Sequence, residues 1–176
     1  MTFSGTAPAE SRWGGVAING GLTVVEATHD GPGEFGVSLE NDGGQDYRFV
    51  DATGNYDGAA AELVTAGEYV LHVEKDEEWE VVIRQPRPES GDPLPVSPSG
   101  AGPTVLGPFD FEGTHTATLS HDGQGESRVR VLPVEGGSGE VLLDGPVNGE
   151  EEATFEHSGI GYINVDADGD WSLDLR

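Results

Sequence analysis

The stretch Gly67-Glu-Tyr-Val-Leu-His-Val-Glu-Lys-Asp-Glu-Glu-Trp79-Glu-Val-Val-Ile83 returns 92 residues later as Gly159-Ile-Gly-Tyr-Ile-Asn-Val-Asp-Ala-Asp-Gly-Asp-Trp171-Ser-Leu-Asp-Leu175. The shift places Leu71 on Ile163, Val73 on Val165, Trp79 on Trp171, Val81 on Leu173 and Ile83 on Leu175. Apolar and polar residues alternate on both sides of an acidic connection. A period of two is the mark of strands with one buried face, and the pattern predicts a β-hairpin in each copy.

The duplication extends outward from these stretches. Thr28-His-Asp-Gly-Pro-Gly-Glu34 matches Ser120-His-Asp-Gly-Gln-Gly-Glu126 at the same shift, and Val37 and Leu39 match Val129 and Val131. Asp-Gly and Pro-Gly pairs are turn chemistry, because glycine accepts the backbone angles that tight turns need. Strands are expected around Val16–Ile18, Leu22–Thr28, Phe35–Leu39, Tyr47–Val50 and Ala59–Val64. No segment has the 3.6-residue apolar period of a helix. Short strands punctuated by turns every 8–12 residues or so point to sandwiches.

The fold expected is all-β: two tandem β-sandwich modules, jelly-roll-like or immunoglobulin-like, at residues 1–84 and 103–176. Between them, residues 85–108 contain seven prolines, and prolines remove ladder donors and favour extended chain. A Pro/Gly-rich linker is expected over residues 85–102. Modules this small, without disulfides, have marginal cores, so stabilisation by salt or by assembly is expected.

The pattern of T-H-D-G-x-G-x-F-x-V-x-L followed by G-x-Y-x-L-x-V-x-x-D-x-x-W-x-V-x-I resembles a repeat module of haloarchaeal and bacterial surface proteins. The second copy departs from it, with Ser127 at the aromatic position and Gly161 at the tyrosine. The resemblance implies an extracellular-type β-sandwich and no chemistry.

Charge narrows the environment. The chain has 33 acidic and 8 basic residues, a formal net charge of −25, and Lys75 is its only lysine. Cut after Pro88, the halves hold 16 acidic against 5 basic and 17 against 3, so the charge is spread along the chain. Dilute buffer lets such charge push a fold apart. At about 1 M salt the Debye length falls to about 3 Å and the repulsion is screened. A halophilic archaeal source is expected. Nucleic acid is not an expected partner, because binding it requires Lys and Arg to displace counterions. There is no cysteine, hence no disulfide and no thiolate chemistry. No apolar run approaches the roughly 20 residues that span a bilayer, so membrane insertion is not expected. The first ten residues lack the basic and hydrophobic regions of a signal peptide.

Candidate chemistry is sparse. Asp166, Asp168 and Asp170 have the acidic spacing of a calcium loop, the one candidate metal site, with Ca2+ as its ion. The EF-hand glycine position holds Trp171, and the chain stops before the twelfth ligand position. A solvated turn is the competing reading, and the matching Glu74–Glu78 stretch carries Lys75. Ser120, His121 and Asp122 have triad residue types, but consecutive residues do not converge into a relay, so no catalytic residue is assigned. The five histidines lack metal-ligand spacing and are expected in solvent. Trp79 and Trp171 fall in phase with buried aliphatics and are expected in the core. Trp13 and Tyr56 fall outside the alternation and are the candidate exposed contacts for a ligand or partner.

The function expected is that of a non-enzymatic structural or attachment protein, without a cofactor, acting in a homo- or hetero-oligomeric assembly with other protein subunits. A virion surface component, such as a capsid decoration, turret, spike or tail protein, reconciles a secreted-type module with the absent signal peptide. A cell-surface adhesion module and a carbohydrate- or calcium-binding module are the alternatives.

Overall fold

The computed structural model describes residues 1–6, 11–74, 77–122, 125–145 and 149–176. It is all-β, with no helix among these residues. The chain divides into two compact units, Met1–Pro86 and Arg87–Arg176.

Unit 1 contains β1 (Thr2–Gly5), β2 (Ser11–Ile18), β3 (Gly21–Asp30), β4 (Glu34–Glu40), β5 (Asp46–Thr53), β6 (Tyr56–Val64), β7 (Gly67–Glu74) and β8 (Glu78–Arg84). They form two antiparallel sheets, in the orders β1-β8-β3-β6 and β2-β7-β4-β5. One apolar cluster takes side chains from both sheets, with Phe35, Tyr69, Leu71, Trp79 and Ile83 among its largest members. The predicted hairpin is corrected here. β7 pairs with β2 and β4, and β8 pairs with β1 and β3, so the acidic connection carries the chain from one sheet to the other. Inward alternation is the same for a hairpin and for such a crossing, because both strands bury one face in a shared core. Tyr69, Leu71 and Val73 enter that core from one sheet, and Trp79, Val81 and Ile83 from the other.

Unit 2 contains β9 (Asp92–Pro93), β10 (Ser99–Ala101), β11 (Thr104–His121), β12 (Ser127–Pro133), β13 (Glu140–Gly145), β14 (Gly149–Asp166) and β15 (Asp170–Leu175). The order is β10-β15-β11-β14-β12-β13, with β9 parallel to β11. Its cluster, built on Phe111, Leu119, Ile163, Trp171 and Leu175, shares no residue with that of unit 1.

The sequence repeat is matched by register. His29 stands opposite Trp79 as His121 stands opposite Trp171, and Val25 opposite Ile83 as Ala117 opposite Leu175. Val37 faces Val73 as Val129 faces Val165. β11 runs unbroken through positions that β2 and β3 share in unit 1, and β14 does the same for β6 and β7.

The segment expected as a linker carries pairing of its own. Asp92–Pro93 lies parallel to Phe109–Asp110, Ser99–Ala101 pairs with Asp170–Ser172, and Val96 exchanges backbone hydrogen bonds of 3.0 and 2.9 Å with Leu175. Leu94 and Val96 pack on the unit 2 core. Proline is tolerated on sheet edges, where its missing N–H faces no partner. Gly91 permits the approach, since a Cβ there would lie 2.4 Å from the Phe109 carbonyl carbon.

Candidate functional site

Ser120 and His121 close β11, and Asp122 follows. The side chains of His121 and Asp122 both reach the turn between β14 and β15. The His121 Nε2–H donates to the Asp168 carbonyl oxygen, and an Asp122 Oδ1 accepts the Asp170 N–H at 3.0 Å. In the first copy His29 donates through Nδ1 to the Gly54 carbonyl oxygen at 2.9 Å and stacks on Phe35, with ring centroids 4.7 Å apart. These residues fasten loops to strands, as short polar side chains in turns commonly do.

The three candidate calcium ligands go to separate tasks. Asp168 Oδ1 accepts the Gly125 N–H at 3.2 Å and lies 3.6 Å from His121 Nε2. Asp166 borders a cleft of about 230 Å³ that also touches Glu126, Arg128 and Asp144. Asp170 is exposed and contributes its main chain to the turn. Among the described residues no group of three His, Cys, Asp or Glu is arranged to hold a metal ion. Lys75, in the matching stretch of the first copy, lies outside the described residues.

The histidines differ from expectation. His29, His72, His115 and His121 are buried, and His157 is half-buried. Strand position decides this for four of them: His29, His115, His121 and His157 follow the inward phase of their neighbours, whereas His72 is out of phase with Tyr69, Leu71 and Val73 and is buried on the opposite face, 3.8 Å from Glu40. Burial and the charge of His115 hold His157 below the ordinary histidine value, and Glu140 acts in the opposite direction. Trp79 and Trp171 are both 4% exposed, core residues as their phase implies.

Trp13 and Tyr56 also differ from expectation: both are half-buried and packed on the core. Trp13 lies 5.1 Å from Trp79 and 5.9 Å from Phe3 between ring centroids. A register shift between Trp13 and Val16 moves the inward phase, so a residue out of step in sequence still turns toward the core. Tyr56 lies opposite His29 and 5.7 Å from the Phe35 ring.

Sequence reasoning passed over the outer-face arginines. Arg48 reaches Asp51 at 2.8 Å and Glu74 at 3.6 Å, crossing Gly36, beside a cleft of about 130 Å³. At the equivalent place in unit 2, Arg128 occupies the Gly36 position and pairs with Asp144 at 2.8 Å, holding that carboxyl below its ordinary value. The arginine has moved to the neighbouring strand while the ion pair persists. Arg12 pairs with Glu40, Arg84 with Glu26 and Arg176 with Asp174. Both partners of each pair are on the same chain. Arg12–Glu40, Arg84–Glu26 and Arg128–Asp144 each span two strands, and no signal in a single strand's pattern reveals such a pair.

A wider groove of about 510 Å³ runs beside Trp79 and is bordered by Asp30, Asp57, Glu78 and Glu80. No helix among the described residues is long and apolar enough to cross a membrane. No known family model matches the sequence, and no curated protein matches it.

Proposed function

We propose that this protein is a non-enzymatic structural or attachment component of a halophilic archaeal system. In this reading it consists of two copies of one sandwich module joined through the Pro-rich segment. It acts by contact with other protein subunits in an oligomeric assembly at a virion surface. The observation that carries the reading is where the chemically capable side chains go. His121 and Asp122 hold a turn, and five arginines are bound to carboxylates of their own chain. Most of the remaining carboxylates face outward on β-sheets, a surface suited to molar salt and to protein contact rather than to nucleic acid.

The test is mass spectrometry of purified virus particles, cell envelopes and cytosol from a culture that makes the protein. Peptides concentrated in the particle fraction support the proposal. Peptides in the envelope fraction would move the same structural role to the cell surface. Peptides confined to the cytosol, or turnover of ester, glycosidic or phosphoester substrates by the purified chain in molar KCl, overturn it.

A further inference from the structure

The two units solve one packing problem differently. In unit 1, Tyr69 stands opposite Val16, Ile18 opposite Gly67, Val64 opposite Gly21 and Thr23 opposite Glu62. In unit 2 the corresponding pairs are displaced by one residue on one strand: Gly161 stands opposite Phe109, Phe111 opposite Gly159, His157 opposite Gly113 and His115 opposite Phe155. The large ring of Tyr69 is gone, and two phenylalanines and two histidines fill its surroundings. A Cβ at Gly161 would lie 2.9 Å from His157 Nε2 and 3.1 Å from the Phe111 ring. Both imidazoles stand edge-on to Phe111, with ring centroids at 5.2 Å for His115 and 5.0 Å for His157.

The Nε2 atoms of both rings are buried without a hydrogen-bond partner. The other histidines with a nearby carboxylate make the contrast: His72 lies 3.8 Å from Glu40 and His121 lies 3.6 Å from Asp168. Among the described residues no carboxylate stands within 4.0 Å of His115 or His157. A positive charge there is desolvated and meets a second imidazole instead of an anion.

We propose that the His115–His157 pair is a proton-operated switch, which at mildly acidic pH loosens β11 from β14 around Phe111. Unit 1 has no counterpart: Thr23 stands at the His115 position and Thr65 at the His157 position of the repeat, Val64 is the residue opposite Gly21 as His157 is opposite Gly113, and none of the three titrates. The groups around the pair are few. β11 supplies His115 and the exposed Glu112, and β13 supplies Glu140, which favours the charged form of His157. β12 places Leu132 and Pro133 opposite Tyr162 and Gly161, β9 places Asp92 opposite Phe109, and β14 itself carries exposed Glu156. Burial pushes the Tyr162 hydroxyl above its ordinary value, so it stays neutral in this range. The sign follows from linkage. With His157 held below 6.5, the unfolded chain binds more protons between that lowered value and 6.5. Stability therefore falls as pH drops through this window.

The experiment is amide hydrogen exchange of the full chain in molar KCl at about pH 7.5 and about pH 5.5, either side of the ordinary histidine value. After correction for intrinsic rates, residues 109–115 and 155–163 should lose protection several-fold at the lower pH, while β7 holds. His157→Val with His115→Thr, patterned on Val64 opposite Gly21 and on Thr23, should remove the difference. Unchanged protection at the lower pH, or a loss that persists in the substituted chain, overturns the proposal. If the substituted chain does not fold, an NMR titration of the unsubstituted chain decides: His157 titrating below the ordinary value supports the switch, and at or above it overturns it.

Discussion

Gly100 lies against the indole of Trp171 so closely that a Cβ would stand 2.8 Å from the ring, and Gly5 holds the same relation to Trp79 at 3.1 Å. In each unit an edge strand is laid across the tryptophan of the repeated stretch, Gly5 opposite Trp79 and Gly100 opposite Trp171. The Trp171 indole N–H completes the clasp by donating to the Gly102 carbonyl oxygen at 2.9 Å. Gly100→Ala should therefore destabilise the protein by about 1–3 kcal/mol, the usual cost of overpacking, and Gly5→Ala by less. Denaturant unfolding in molar KCl measures both.

Trp79 and Trp171 belong to separate cores. Truncating either to alanine should cost about 3–5 kcal/mol. Hydrogen exchange should show the loss in the strands of the unit that carries the substitution. A loss spread equally over both units would contradict separate cores.

Asp122 and Asp168 hold the turn between β14 and β15 with side-chain acceptors. Asp122→Ala should cost about 1 kcal/mol through the unpaired Asp170 N–H. Because Asp168 is engaged in the turn and Asp166, Asp168 and Asp170 are not gathered into one ligand group, calcium should leave the melting temperature unchanged at constant ionic strength. A calcium-specific rise that disappears with Asp168→Asn would support the metal reading.

Trp13 packs against Trp79 and Phe3 rather than facing solvent alone. Trp13→Ala should lower stability by at least the 0.5–1.5 kcal/mol or so of an aromatic pair. Glycan-array signal lost on this substitution without loss of stability would instead assign Trp13 to ligand contact.

The all-β character and the duplication were legible in the sequence because period-two alternation records which face is buried. Three features were not. Alternation in Tyr69–Val73 and Trp79–Ile83 does not say whether two strands pair with each other or with different sheets; long-range hydrogen bonds decide that. Proline density around Pro93 suggested free chain, yet an edge strand needs only the donors that prolines leave, and Leu94 and Val96 supply its anchors. The phase of Trp13 was hidden by the irregularity before Val16, which no periodic pattern registers. At the candidate site, the repeated Thr/Ser-His-Asp pattern marked a turn, and His121 and Asp122 both bond to the turn between β14 and β15. The nearness of His115 and His157 to Phe111, with both Nε2 atoms buried, depends on strands brought together from distant positions.

We propose that screening of its own charge is what holds this acidic double-unit fold compact. The most direct test is thermal unfolding of the purified chain in about 0.1 M and about 2 M KCl, where the Debye length falls from about 10 Å to under about 3 Å. The melting temperature should rise strongly across that range, as repulsion among 33 carboxylates is screened. A flat or falling melting temperature would contradict the account.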